Sequence, residues 1–193
     1  MNTPAHLLLG AAAFSGRHAD RRLIWAGMIG GLLPDVSLYV LAGVSLLVLR
    51  IPPQVVFDEL YFSDLWQSIF AIDNSFFVWG LLCALSLWRR IDWAVALTAA
   101  ALLHLALDFP LHHDDGRPHF WPLSAWVFES PVSYWDRGHY AMYVAPVETL
   151  LSAACALWLW AQRPGWLLSL VIGILVLAQL RVATVWMFIF ANG

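Results

Sequence analysis

Charge is missing from this sequence over lengths that a bilayer, but not a small soluble core, can accommodate. Residues 23–49, 74–88, 93–109, 139–161 and 166–191 are apolar runs. Most approach the ~20 residues a helix needs to cross the hydrocarbon of a membrane. The chain has 193 residues, 61% hydrophobic and 12% charged, and a soluble domain carries about twice that charged share. A water-soluble fold of this length cannot hide so much apolar surface. The expectation is an all-α, polytopic membrane helix bundle with about five or six membrane segments. Residues 1–193 then form one integral membrane domain, with no internal repeat or linker.

The remaining segments fit that frame. Residues 4–16 are too short to span and read as a half-helix of the mature protein, since no basic region precedes them. Residues 51–72 mix aromatics with Asp58, Glu59 and Asp64, the pattern of an interfacial amphipathic helix or lid. Residues 110–138 read as an outer loop. Trp66, Trp121 and Trp135 suit the aromatic belt at a membrane surface. Cys83 and Cys155 sit inside apolar runs and read as small hydrophobes. A net charge of −3 argues against a nucleic-acid partner. Every basic residue is Arg. Placing Arg17, Arg21, Arg22, Arg89, Arg90 and Arg163 in the cytoplasm lets the helices alternate, with both loops and both termini outside.

Ionisable residues at membrane depth cost about 2.5–3.5 kcal/mol on insertion scales, so each one asks for a partner. Asp35 follows Pro34 in an apolar run. His104 and Asp108 end the run at 93–109. Glu148 and Arg181 lie in two later runs and read as a buried ion pair. His18 reads as a solvated turn residue.

Residues 104–122, HLALDFPLHHDDGRPHFWP, hold four of the seven histidines and three aspartates. His104 and Asp108 are four apart and share a helical face. Such a pair either presents a nitrogen and an oxygen to one divalent ion or closes a helix end by hydrogen bonding. His112, His113 and His119 follow at once as further candidate ligands. His6, Asp35 and His139 map to the same membrane side.

Three blocks, AHLLLG, GGLLPD and HLALDFPLHHDDGRPHFWPLS, resemble the YdjM-like family of bacterial inner-membrane proteins, described as metal-dependent hydrolases. The resemblance implies a bacterial plasma-membrane location and picks out His6, Asp35, His104 and Asp108 as metal ligands. Two departures stand out. Val36 and Ser37 follow the Pro-Asp where the family has a further Asp. Asp73, Asn74 and Ser75 stand where it has a Thr-His-Ser segment.

The expected function is a metal-dependent hydrolase acting on a phosphoester or lipid-like substrate at the outer leaflet, with the site facing the periplasm or exterior. Zn²⁺ or Mn²⁺ would be held by His6, Asp35, His104 and Asp108, with His112, His113 and His119 as additional ligands. Asp114 or Asp115 would act as general base, His139 as proton donor to the leaving group, and Arg117 or Arg137 as phosphate clamp. The rival from another class is a non-catalytic membrane protein whose His/Asp cluster binds metal structurally or hydrogen-bonds across helices. A third is a metal or proton transporter lined by Asp35, Glu148 and Arg181.

Overall fold

The computed structural model describes residues 1–16 and 20–192, with side chains to Val185. Arg17 and His18 lie outside the described residues. Helices and irregular segments make up what is described, with no strand among those residues. Five helices are long and apolar enough to cross a membrane: Arg21–Val48, Asp64–Trp88, Asp92–Leu111, Ala141–Ala161 and Trp166–Val185. Many of their side chains point away from the protein. Leu47, Leu81, Leu150 and Leu177 are 80%, 72%, 71% and 68% exposed, a surface that water would penalise.

The first helix, α1 (Thr3–Ala13), has 11 residues and rises only about 16 Å, a half-helix as its length implied. The Asp20 carboxylate starts α2 (Arg21–Gly30) by accepting from the Arg22 N–H at 2.9 Å. The GGLLPD stretch then breaks the run. Pro34 has no N–H to donate and cannot continue an ideal helix. A 3-10 turn over Leu33–Asp35 follows, and α3 (Val36–Gly43) resumes. The two glycines serve close approach. A Cβ on Gly30 would collide with the Leu97 carbonyl, and one on Gly31 with the His6 carbonyl. Glycine therefore lets this break touch two helices at backbone distance.

Residues 51–72 divide differently from a free-standing lid. A short α4 (Pro53–Val55) and a π-turn over Val56–Leu60 precede α5 (Asp64–Asp73). Only Asn74 and Ser75 separate α5 from α6 (Phe76–Trp88). Ser75 Oγ accepts from the N–H groups of Phe77 and Val78, both at 3.1 Å, and starts α6. Asn74 Nδ2 donates to the carbonyls of Phe70 and Pro34. This joint is satisfied by side chains, so α5 continues into α6 as one long apolar unit.

Helix α7 (Asp92–Asp108) packs between α2 and α6, while α1 packs on α2, α7, α8 (Ala141–Ala161) and α9 (Trp166–Asn192). Leu8, Ile24, Met28, Leu159 and Ile172 form an apolar cluster between α1, α2, α8 and α9. Residues 112–136 carry no helix. Backbone bonds close this loop: Ser130 N–H donates to the His112 carbonyl at 3.0 Å, and Ser133 N–H to the His139 carbonyl at 2.7 Å.

The expected Glu148–Arg181 ion pair is not formed. Arg181 is exposed. Glu148 Oε1 instead accepts from Asn2 N–H at 3.0 Å, Asn2 Nδ2 at 2.7 Å and Gln179 Nε2 at 2.9 Å. Arg181 sits roughly 200° around α9 from Gln179, so the residue facing Glu148 is the amide.

A candidate metal centre

The helix break brings α1, α2 and α7 together at one end of the bundle. His6 and His104 stack there with ring centroids 3.7 Å apart. Asp108 lies one turn beyond His104. All three are buried. One ligand atom from each of His6, His104 and Asp108 lies within 4.8 Å of the others, so this group can hold a metal ion.

Two atoms test that fit. His104 Nδ1 is 2.8 Å from the Gly31 carbonyl. A carbonyl can only accept, so Nδ1 carries the proton and the neutral ring bears a lone pair on Nε2. That Nε2 is buried without a hydrogen-bond partner. It stands 3.3 Å from Asp108 Oδ2 and 3.6 Å from Asp35 Oδ1. A ligating histidine is usually anchored in this way, its other nitrogen donating to a carbonyl or carboxylate. His6 Nε2 lies 2.8 Å from Asp108 Oδ1, and its Nδ1 is also buried without a partner. The Met1 amine contacts Asp108 Oδ1 as well. The donor set, two imidazoles and one or two carboxylates, suits a divalent transition-metal ion.

A polar cavity of about 220 Å³ opens above this group. Asp35 stands at its wall, with Oδ2 accepting from Thr3 Oγ1 at 3.3 Å. Thr3 Oγ1 also contacts the Tyr39 hydroxyl. The loop supplies His112, Asp115, Arg117, His119 and Tyr134. His112 bridges two carboxylates, with Nε2 3.3 Å from Asp108 Oδ2 and Nδ1 2.9 Å from Asp115 Oδ1. Burial disfavours its imidazolium, yet the hydrogen bonds and charges of Asp108 and Asp115 prevail and raise its pKa to about 9. Asp115 also accepts from the Trp135 indole at 3.0 Å. Burial and then the nearby His112 charge lower the His119 pKa to about 4, so this imidazole stays neutral. The Arg117 guanidinium lies 4.0 Å from the Phe70 ring and 4.7 Å from the Tyr61 ring. Its Nη1 is buried without a hydrogen-bond partner.

The expected residues thus separate into two sets. His6, Asp35, His104, Asp108, His112, Asp115, Arg117 and His119 gather at one place. Asp114 is exposed and faces a neighbouring hollow. Arg137 is exposed. His113 and His139 stack on each other and are not among the cavity's walls. The His113 Nδ1 is tied to the Ser130 carbonyl at 2.7 Å, which turns its ring toward His139 and away from the inner group. Tyr39, Tyr61 and Tyr134 also line the cavity, and nothing in the sequence singles them out. Asn74, which the sequence marked only as part of a departure from the resembled pattern, lines it too.

Compared with known protein families, curated proteins and solved structures, the chain finds no match.

Proposed function

We propose that this chain is a multi-pass protein of a bacterial inner membrane that hydrolyses a phosphoester in a lipid-like substrate at the outer leaflet, using one or more divalent ions. The observation that carries the reading is the His104 Nε2 lone pair, buried, unpartnered and aimed between Asp108 and Asp35. The three blocks that resemble the YdjM-like family support it. AHLLLG contributes His6, GGLLPD contributes Gly31 and Asp35, and HLALDFP contributes His104 and Asp108. The outward-facing leucines of the long helices support a lipid environment, and the arginine placement supports a periplasmic site.

His6, His104 and Asp108 would hold the ion, with Asp35 as a fourth ligand and zinc as the ion these donors favour. When bound, such an ion supplies Lewis-acid chemistry, polarising a phosphoryl oxygen and acidifying water. The chain's own residues do the rest. Arg117, braced on two aromatic faces with a free N–H, offsets the phosphate charge. Asp115 is the carboxylate of the Asp114–Asp115 pair that lines the cavity, so it takes the general-base role. His112 replaces His139 as the proton donor, because it lines the cavity beside Asp115 and His139 does not line it. Lateral entry from the bilayer would spare a lipid substrate the cost of leaving it.

One observation favours a second reading. His6 and Asp108 already satisfy each other at 2.8 Å, as they would in a non-catalytic cluster that only locks α1 to α7. Elemental analysis of detergent-purified protein separates the readings, with wild type beside His104→Ala/Asp108→Ala. Metal in the wild type and its loss in the variant, together with chelator-sensitive cleavage of a phosphodiester panel, supports the hydrolase. Equal and negligible inner-site metal in both ends it.

A further inference from the structure

Two hollows meet at the start of α1. One is the polar cavity of the candidate metal centre. The other is an apolar groove of about 490 Å³ along the first half of α8, walled by Tyr143, Val144, Val147 and Leu151 and completed by Leu111 and Val132 of the loop. Met1 lines both hollows. Asn2, on the cavity side, donates to Glu148, on the groove side, from its N–H at 3.0 Å and its Nδ2 at 2.7 Å. The loop interleaves the two walls. Leu111 belongs to the groove and His112 to the cavity, Val132 to the groove and Tyr134 to the cavity. A polar space and an apolar space therefore lie on either side of one thin wall.

The groove suits a hydrocarbon chain. From Tyr140 to Leu151 it follows α8 for about 16 Å. Val144, Val147 and Leu151 recur at spacings of three and four, so they share one face of the helix. Glu148 is the one charged residue among the groove's walls, and its Oε1 is taken by Asn2 and Gln179. A non-helical peptide laid there would leave its own N–H and C=O groups unpaired. An acyl chain has none to pair. A second apolar hollow lies on the opposite side of α8, walled by Met142, Pro146, Leu180 and Ala183, and shares no wall residue with the polar cavity.

We propose that the groove along α8 holds an acyl chain of the lipid whose phosphate enters the polar cavity, which makes the substrate a lipid phosphoester seated across its polar–apolar boundary. The placement of the phosphate rests on the hydrolase reading; the hold on the chain does not. Lipid tails are as apolar as the groove, so the chain gains no hydrophobic free energy by leaving the bilayer for it. What it gains is position. A chain lying along α8 sets its head at the edge of the cavity, and such positioning is itself a large part of catalysis.

The test reads the lipid retained by the full chain in detergent, delipidated, treated with chelator to hold back cleavage, and incubated with dipalmitoyl phosphatidic acid before native mass spectrometry. The wild type is expected to retain the lipid. Val147 is 64% exposed, and Val147→Trp should fill the groove and lose the lipid. Met142→Trp, in the opposite hollow, should keep it. Leu151→Trp blocks only the far end, so it should lose the dipalmitoyl lipid and still hold the dioctanoyl one. Equal retention in wild type and Val147→Trp overturns the groove. So does equal loss in Val147→Trp and Met142→Trp, the behaviour of an unselective lipid coat. A dimer in detergent that Val147→Trp dissociates would seat a second copy of the chain there and overturns it too. A wild type that retains the lipid and does not cleave it when zinc is supplied ends the hydrolase reading and leaves the groove in place. Retention by Val147→Trp with zinc-dependent cleavage intact ends the groove alone.

Discussion

The Gly31 carbonyl fixes the tautomer of His104 across 73 positions of sequence, through a 2.8 Å hydrogen bond from Nδ1. The same glycine lies against the His6 backbone, where a Cβ would strike the His6 carbonyl. One residue therefore orients one histidine and sets how near the other can come. Gly31→Ala should push α1 away while leaving every candidate ligand in the chain. Alanine keeps the carbonyl that anchors His104, so the effect falls on the placement of His6, and disturbing a ligand's support typically weakens metal affinity about 10–100-fold. Zinc titration of Gly31→Ala beside wild type checks this. Unchanged affinity would mean that the α1–α2 contact plays no part in the site.

The ligands themselves should matter more than their support. His104→Ala removes the imidazole whose Nε2 has no other partner, and Asp108→Ala removes the carboxylate shared by His6, His104 and His112. Each is expected to abolish inner-site metal. Asp35→Asn, one step further out at 3.6 Å, should only weaken it. Isothermal titration of the three variants gives the ranking, and an Asp35→Asn effect as large as that of His104→Ala would make Asp35 an equal ligand.

Parts of this arrangement were legible in the residues alone. His104 and Asp108 share a helical face by their spacing of four, and the structure places them so. His6 and Asp35 were joined to them only by membrane side and by family resemblance. Their contact depends on Gly31 and on a helix break whose angle no pattern reports. Adjacent His112 and His113 look equivalent on paper. In an irregular loop their directions are set by which carbonyl each nitrogen meets, and they serve different clusters. Glu148 and Arg181 looked like partners by charge, but helical rotation gave the place to Gln179. Tyr39, Tyr61 and Tyr134 are ordinary residues in a sequence rich in aromatics, and only the fold turns them toward a cavity.

Glu148 gathers three donors on one oxygen, two from Asn2 and one from Gln179. Truncation would leave buried N–H groups unpaired, which costs about 1–3 kcal/mol and more where the acceptor was charged. Glu148→Ala should lower the melting temperature in detergent and, by freeing Asn2 and the start of α1, loosen His6. Glu148→Gln keeps an oxygen acceptor and should lose much less. A Glu148→Ala/Gln179→Leu double variant should recover part of the loss, because one stranded amide is removed with its partner. Additive losses in that cycle would show that the Gln179 contact contributes nothing.

Arg117 is the cation best placed to meet a phosphate in the cavity. Arg117→Lys keeps the charge but loses the planar stacking on Phe70 and Tyr61 and the paired N–H geometry. Inorganic phosphate should raise the melting temperature of the zinc-loaded wild type, with the shift reduced in Arg117→Lys and absent in Arg117→Ala. With a cleavable phosphodiester, Arg117→Ala should cost about 10²–10³-fold in kcat, the usual effect of losing one charge-stabilising donor. Zinc content should be unchanged in both. A phosphate shift that persists in Arg117→Ala would remove Arg117 from substrate binding.

The membrane orientation can be read without any activity. Asp114 and Asp92 are both exposed. They lie at opposite ends of α7, Asp92 at its start and Asp114 just past its end. In a Cys83→Ser/Cys155→Ser background, Asp114→Cys should react with a membrane-impermeant maleimide in intact cells whose outer membrane has been permeabilised. Asp92→Cys should react only after lysis. Neither substitution touches an arginine, so the charge bias that sets orientation stays in place. The reverse pattern would put the histidine-rich loop in the cytoplasm and the substrate on the inner leaflet, while labelling of both before lysis would mean that α7 does not cross the bilayer.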